Sequence, residues 1–156
     1  MLTHFDEKGR AKMVDITQKP ITERIAITEG IVKMKPETLK MILNKEIIKG
    51  DVFQIARIAG IMAAKMTPHL IPLCHPLAIS SVEIDFEPDQ EKSQVKIKTT
   101  VKTTAQTGVE MEAMVATSLA SLTIYDMCKS VDRDMIIGEI KLVYKAGGKS
   151  GEFIRT

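Results

Sequence analysis

Between Val82 and Lys102 the apolar residues fall on every second position, and no other feature of this chain narrows its fold as far. Val82, Ile84 and Phe86 alternate with Glu83, Asp85 and Glu87; beyond a polar turn, Val95, Ile97 and Val101 alternate with Lys96, Lys98 and Lys102. Successive side chains of a strand point to opposite faces, so the pattern predicts an antiparallel hairpin with one apolar face and one wet face. Two further strands share this habit. ITERIAITEGIVKM places Ile25, Ile27 and Ile31 on alternating positions, and Ile140, Leu142 and Tyr144 alternate with Glu139, Lys141 and Lys145.

The segments between the strands read as helices. Pro36 opens one, with Leu39, Ile42, Leu43 and Ile47 on its apolar side and Lys49-Gly50 as its stop. Asp51 caps a second, VFQIARIAGIMAAKM, whose Ala56, Ala59, Gly60, Ala63 and Ala64 permit close approach to a neighbour. Thr67 to Leu77 holds three prolines, which predicts a stiff loop carrying Cys74 and His75. A long helix is expected from Thr107, with Glu110 completing a capping box, to about Asp132. The resulting order predicts an α+β fold, a ferredoxin-like β-α-β-β-α-β antiparallel sheet with additional helices on one face. At 156 residues the chain suits a single domain, 1–156, with residues 1–20 as a polar arm that is flexible or orders only against something else and in which His4 or Asp15 could act.

Composition excludes several classes of function. A formal net charge of +2 and an aromatic content of 4% give neither the basic signature nor the stacking platforms of a nucleic-acid binder. Cys74 and Cys128 lie outside any C-x-x-C, which suits reduced thiols in the cytoplasm. No apolar run approaches a membrane span, and the first residues lack a signal sequence's apolar core, so a soluble cytoplasmic protein is expected.

The candidate chemistry gathers on the long helix. Met111, Val115, Leu119 and Leu122 form a stripe at steps of four and three that continues to Asp126 and Lys129, where the pattern expects core. One reading is a solvated i, i+3 pair; the other is an acid-base couple. Glu110 and Glu112 share the helix with that pair. Lys49 precedes a helix N-terminus, a place that suits phosphate, although an ordinary helix stop explains it as well. Cys74-His75 lacks partners at metal-ligand spacing, which leaves His75 as a ligand-binding or proton-shuttling group or as a core histidine. Lys145-Ala-Gly-Gly-Lys149-Ser150-Gly151 is no Walker A, because residue 143 is valine and no helix can follow, but its amides and lysines could wrap a phosphate.

IAGIMAAKMTPHLIPLCHPL, TGVEMEAM, LTIYDMCK and KAGGKSG together resemble the signature segments of the molybdenum cofactor biosynthesis protein C family, from Met13 to Gly151. The resemblance implies a ferredoxin-like fold and a homohexamer, a trimer of dimers with its sites at subunit interfaces. It implies a reaction in which 3',8-cyclised dihydro-GTP is rearranged to cyclic pyranopterin monophosphate with loss of pyrophosphate. It assigns Asp126 and Lys129 as the catalytic pair. It assigns Lys49, Leu73, Cys74, His75, Glu110, Met111, Glu112 and Lys145 to substrate binding. No cofactor is implied; whether Mg²⁺ accompanies the triphosphate is open on these residues.

Overall fold

In the computed structural model, which describes residues 3–156, a five-stranded sheet carries its helices on one face. The elements are β1 (Thr22–Lys33), α1 (Pro36–Leu43), α2 (Val52–Leu70), β2 (Ser81–Asp89), β3 (Gln94–Ala105), α3 (Glu110–Cys128), β4 (Ile136–Ala146) and β5 (Phe153–Ile154). The strand order is β2-β3-β1-β4-β5 with every neighbouring pair antiparallel, which is the ferredoxin-like arrangement with one short strand added by the C-terminal segment. Among the described residues no helix is long and apolar enough to cross a membrane.

The alternation read from the hairpin sets the sheet's two faces. Val95, Ile97 and Val101 are fully buried under the helices, while the register sets Glu87 against Lys96 and Asp85 against Lys98 on the open face. Leu39, Ile97 and Ile124 anchor the main core, each fully buried side chain contributing about 2 kcal/mol. α2 and α3 cross closely at Gly60, where a Cβ would stand 3.0 Å from the Ala116 carbonyl oxygen.

Several boundaries depart from expectation. α1 ends at Leu43, not at Lys49-Gly50, because Lys45 takes a positive φ of 56° and turns the chain away. α2 runs through Pro68 to Leu70, so the stiff loop begins only at Ile71. Proline removes one backbone donor, and in the last turn that loss is small: the Ile71 amide still reaches Thr67, whose own hydroxyl donates to Ala63. α3 begins at Glu110 without a side-chain cap, since Glu110 turns to Lys145 and the capping box does not form. It ends at Cys128; Asp132, beyond it, accepts from the Lys35 amide and the Thr38 hydroxyl and thereby fastens the start of α1.

The largest correction concerns the rotation of α3. Its buried face is centred on Ala113, Ala116, Thr117, Ala120, Ser121 and Ile124; of the expected core stripe Val115 is buried and Leu119 half-buried, whereas Met111 and Leu122 are 38% and 52% exposed. Asp126 and Lys129 therefore sit in solvent in the single chain. Hydroxyl pairing explains the choice of face: Thr28 donates to the Ala113 carbonyl at 2.8 Å and meets Thr117 at 2.7 Å, while Thr117 meets Thr99 at 2.9 Å. With their hydrogen bonds satisfied, these threonines bury at little cost, and the intervening alanines allow close approach to the sheet.

Candidate active site

α3 is unbroken over 19 residues, so Glu112 and Asp126, fourteen positions apart, are separated by about 21 Å along the axis. The candidate residues accordingly fall into two groups, one at each end.

At the C-terminal end, Lys129 Nζ lies 2.8 Å from Asp126 Oδ1, and Lys49 Nζ donates to the Asp126 carbonyl oxygen at 2.8 Å and stands 3.4 Å from Oδ2. The loop after α1 thus delivers Lys49 across 77 positions of sequence to the catalytic candidates. The Lys129 ammonium, with Lys49 assisting, holds the Asp126 carboxyl below the usual range, and Asp126 in return raises Lys129. Both groups are charged in the single chain, exposed and ready to meet a ligand or a second subunit.

At the N-terminal end two cavities adjoin. The first, about 200 Å³, is bounded by the Leu73-Cys74-His75 loop, by Glu110, Met111 and Glu112 of α3, and by His4, Val14, Ile16 and Lys19 of the arm. The second, about 170 Å³, shares Lys19, Thr107, Gly108 and Glu110 and adds Arg24, Lys145 and Ser150. The arm that the sequence left unassigned therefore walls the site. A carbonyl oxygen can only accept, so the 2.6 Å contact between His75 Nε2 and the Val14 oxygen places a proton on Nε2. Asp15 faces solvent, and its carboxylate is spent on the Thr17 amide and hydroxyl.

The two glutamates differ in their surroundings. Glu110 receives Lys145 Nζ at 3.0 Å, and Lys145 also donates to Ser150 Oγ at 2.7 Å. Glu112 is 3% exposed and, among the described residues, has no cation within ion-pair distance. Burial, with the Glu110 charge adding to it, pushes its carboxyl up to about 7. Burial and the same two carboxylates raise the Cys74 thiol, which makes it a lining group and no thiolate nucleophile.

Arg24 is 9% exposed, and no carboxylate pairs with it among the described residues; its Nε reaches the Ala105 carbonyl at 3.4 Å. Its guanidinium lies against Gly147-Gly148, where φ values of 108° and 74° and the absence of Cβ atoms make room for it. Lys49 and Lys145, treated alike as phosphate candidates in the sequence, stand at opposite ends of α3. Arg24, which the sequence offers beside Lys49 and Lys145 as a charge for the triphosphate, lines the second cavity, whereas Lys19 carries no local motif and only the structure brings it there. Among the described residues no group of three or more His, Cys, Asp or Glu is placed to hold a metal ion.

Residues 13–148 match the profile of the MoaC family. The chain is 56% identical over 154 residues to the cyclic pyranopterin monophosphate synthase of Magnetococcus marinus, covering 99% of this chain and 94% of that protein. It is 57% identical over 154 residues to the protein of the same name from Pelotomaculum thermopropionicum, with 99% and 91% covered. With that of Clostridium perfringens it shares 58% over 152 residues, 97% and 96% of the two chains. With the profile matched over nearly its whole length and more than half of its residues shared with relatives of similar size, the chain belongs to the MoaC family.

Proposed function

We propose that this chain is a cytoplasmic cyclic pyranopterin monophosphate synthase, a lyase that converts 3',8-cyclised dihydro-GTP to cyclic pyranopterin monophosphate and releases pyrophosphate. The observation that carries the reading is the division of labour along an unbroken α3 within a family whose relatives bear that name. One end offers hydrogen-bonding carboxylates and phosphate-binding cations; the other offers an acid-base pair.

Each group suits one demand of the reaction. Glu110 accepts from the amino and ring N–H donors of the guanine-derived ring, for which a carboxylate is the natural partner. Lys145 and Arg24 face the phosphates, and as pyrophosphate leaves they offset the charge that develops on it. Opening the purine-derived ring and closing a pterin requires protons to be removed and returned at nitrogen and carbon. Asp126 and Lys129 perform these transfers, with Lys49 holding the aspartate in place.

A single compact substrate cannot touch Glu112 and Asp126 of the same helix about 21 Å apart, so the complete site draws its two ends from two chains. The outer faces of the helices support this: Ile55, Ile58, Met62, Met66 and Leu70 of α2 and Met111 and Leu122 of α3 are all more than a third exposed, an apolar surface suited to a subunit contact. We assign the assembly as a homohexamer, a trimer of dimers. The test of function is turnover of enzymatically prepared cyclised dihydro-GTP, with pterin fluorescence after oxidation and released pyrophosphate measured together. Product and pyrophosphate in equal amounts are expected; a folded, oligomeric protein that yields neither refutes the reading.

A further inference from the structure

The arm reaches the second cavity through one side chain. Gln106, half-buried just after β3, donates its amide Nε2 to two carbonyl oxygens at once, that of Thr17 at 3.3 Å and that of Lys19 at 3.2 Å. The carbonyls flank Gln18, so this grip fixes the arm's last turn before Pro20, and Lys19, held at its own carbonyl, lines both cavities. Next to it, the Ala105 carbonyl accepts from Arg24. Two consecutive residues at the end of β3 therefore fix two of the three cations, Lys19, Arg24 and Lys145, that surround the second cavity, against Glu110 as its one carboxylate. Lys19 forms no ion pair with any described residue, and among the described residues the hydrogen bonds that join this part of the arm to the folded body are those of Gln106 and the His75 contact to Val14.

We propose that Gln106 is a positioning residue: its amide clamps the Thr17–Lys19 turn of the arm to the end of β3 and so seats Lys19 as the third cation of a polyphosphate-binding cavity. The inference rests on the phosphate-binding reading of that cavity and adds the arm, through Lys19, to the groups that grip the ligand. A bidentate hold on two main-chain carbonyls suits a carboxamide, whose donor carries no charge that would compete with Lys19 for the anion.

The test is calorimetric binding of inorganic tripolyphosphate to the full-length protein at one fixed ionic strength, comparing wild type, Gln106→Met, Lys19→Ala and the double variant. Methionine keeps the shape of glutamine without the donor. Each single variant should bind about tenfold more weakly, the scale of one lost charge-assisted contact, and the double variant should be no weaker than Lys19→Ala alone. Cleavage by trypsin after Lys12 should be faster in Gln106→Met while the unfolding midpoint stays unchanged, which separates a loosened arm from a damaged fold. Wild-type affinity in Gln106→Met, or losses that multiply in the double variant, would overturn the proposal. So would a wild type that does not bind tripolyphosphate. In that case turnover of the cyclised substrate by the same preparation reports separately on the proposed function.

Discussion

Replacing Glu112 by glutamine isolates the cost of burying a carboxyl that the structure leaves without a cation. Its pKa of about 7, against 4.5 for a free glutamate, means that between those values the folded protein holds a proton the unfolded chain has released. Stability therefore falls as pH rises: the burial penalty is absent below pH 4.5, grows across the interval and is fully developed above 7. At 1.36 kcal/mol per unit the full penalty is about 3 kcal/mol. Glutamine has the shape of the neutral acid and cannot ionise, so the variant escapes the penalty. Urea unfolding of both proteins from pH 5 to 8.5, at one protomer concentration, should show the wild type losing about 2.5 kcal/mol relative to Glu112→Gln as pH rises, because part of the penalty is already present at pH 5. Groups that do not feel the Glu112 charge cancel in the difference. A difference that does not change with pH would refute the reasoning, because it would show Glu112 ionised throughout and matched by a cation, such as one supplied by a second subunit.

Three further outcomes follow from the geometry. Glu112→Ala and Asp126→Ala proteins, each inactive alone, should recover roughly a quarter of wild-type activity when unfolded together and reassembled, because about half the dimers are mixed and each has one intact site of two; no recovery with mixed oligomers confirmed by mass spectrometry would place both residues in one chain's pocket. Lys129→Arg should keep the ion pair to Asp126 but lose at least tenfold in kcat, about 1.4 kcal/mol in barrier, since arginine cannot release its proton near neutral pH. Gly60→Ala should lower stability by about 1–3 kcal/mol in thermal unfolding, because the added methyl meets Ile84 and the Ala116 carbonyl where α2 crosses α3.

Much of the fold was legible because strand alternation is local. A period of two over Val82–Phe86 and Val95–Val101 marks which residues of the hairpin face the core, and the hairpin, β1, β4 and the Asp51 cap of α2 stand where the residues put them. In β1, however, it is Ala26, Thr28 and Val32 that face the helices, and Ile25, Ile27 and Ile31 lie on the open face, with Ile25 opposite Lys102 and Ile31 opposite Lys96 of β3. Asp126, Lys129, Glu110 and Glu112 were legible as charges crowded on one helix. The rotation of α3 was not, since counting large apolar side chains rewards area, and this helix packs by fit: alanines against the sheet and threonines whose hydroxyls find partners on other elements. Met111 and Leu122 are left exposed on the outer side of the helix. Tertiary structure alone decided that Lys49 reaches Asp126, that Lys145 reaches Glu110 and that Gln106 holds the arm, because those partners lie 77, 35 and about 90 positions apart. Contacts of that range depend on strand register and on the course of the loops, which no local pattern encodes.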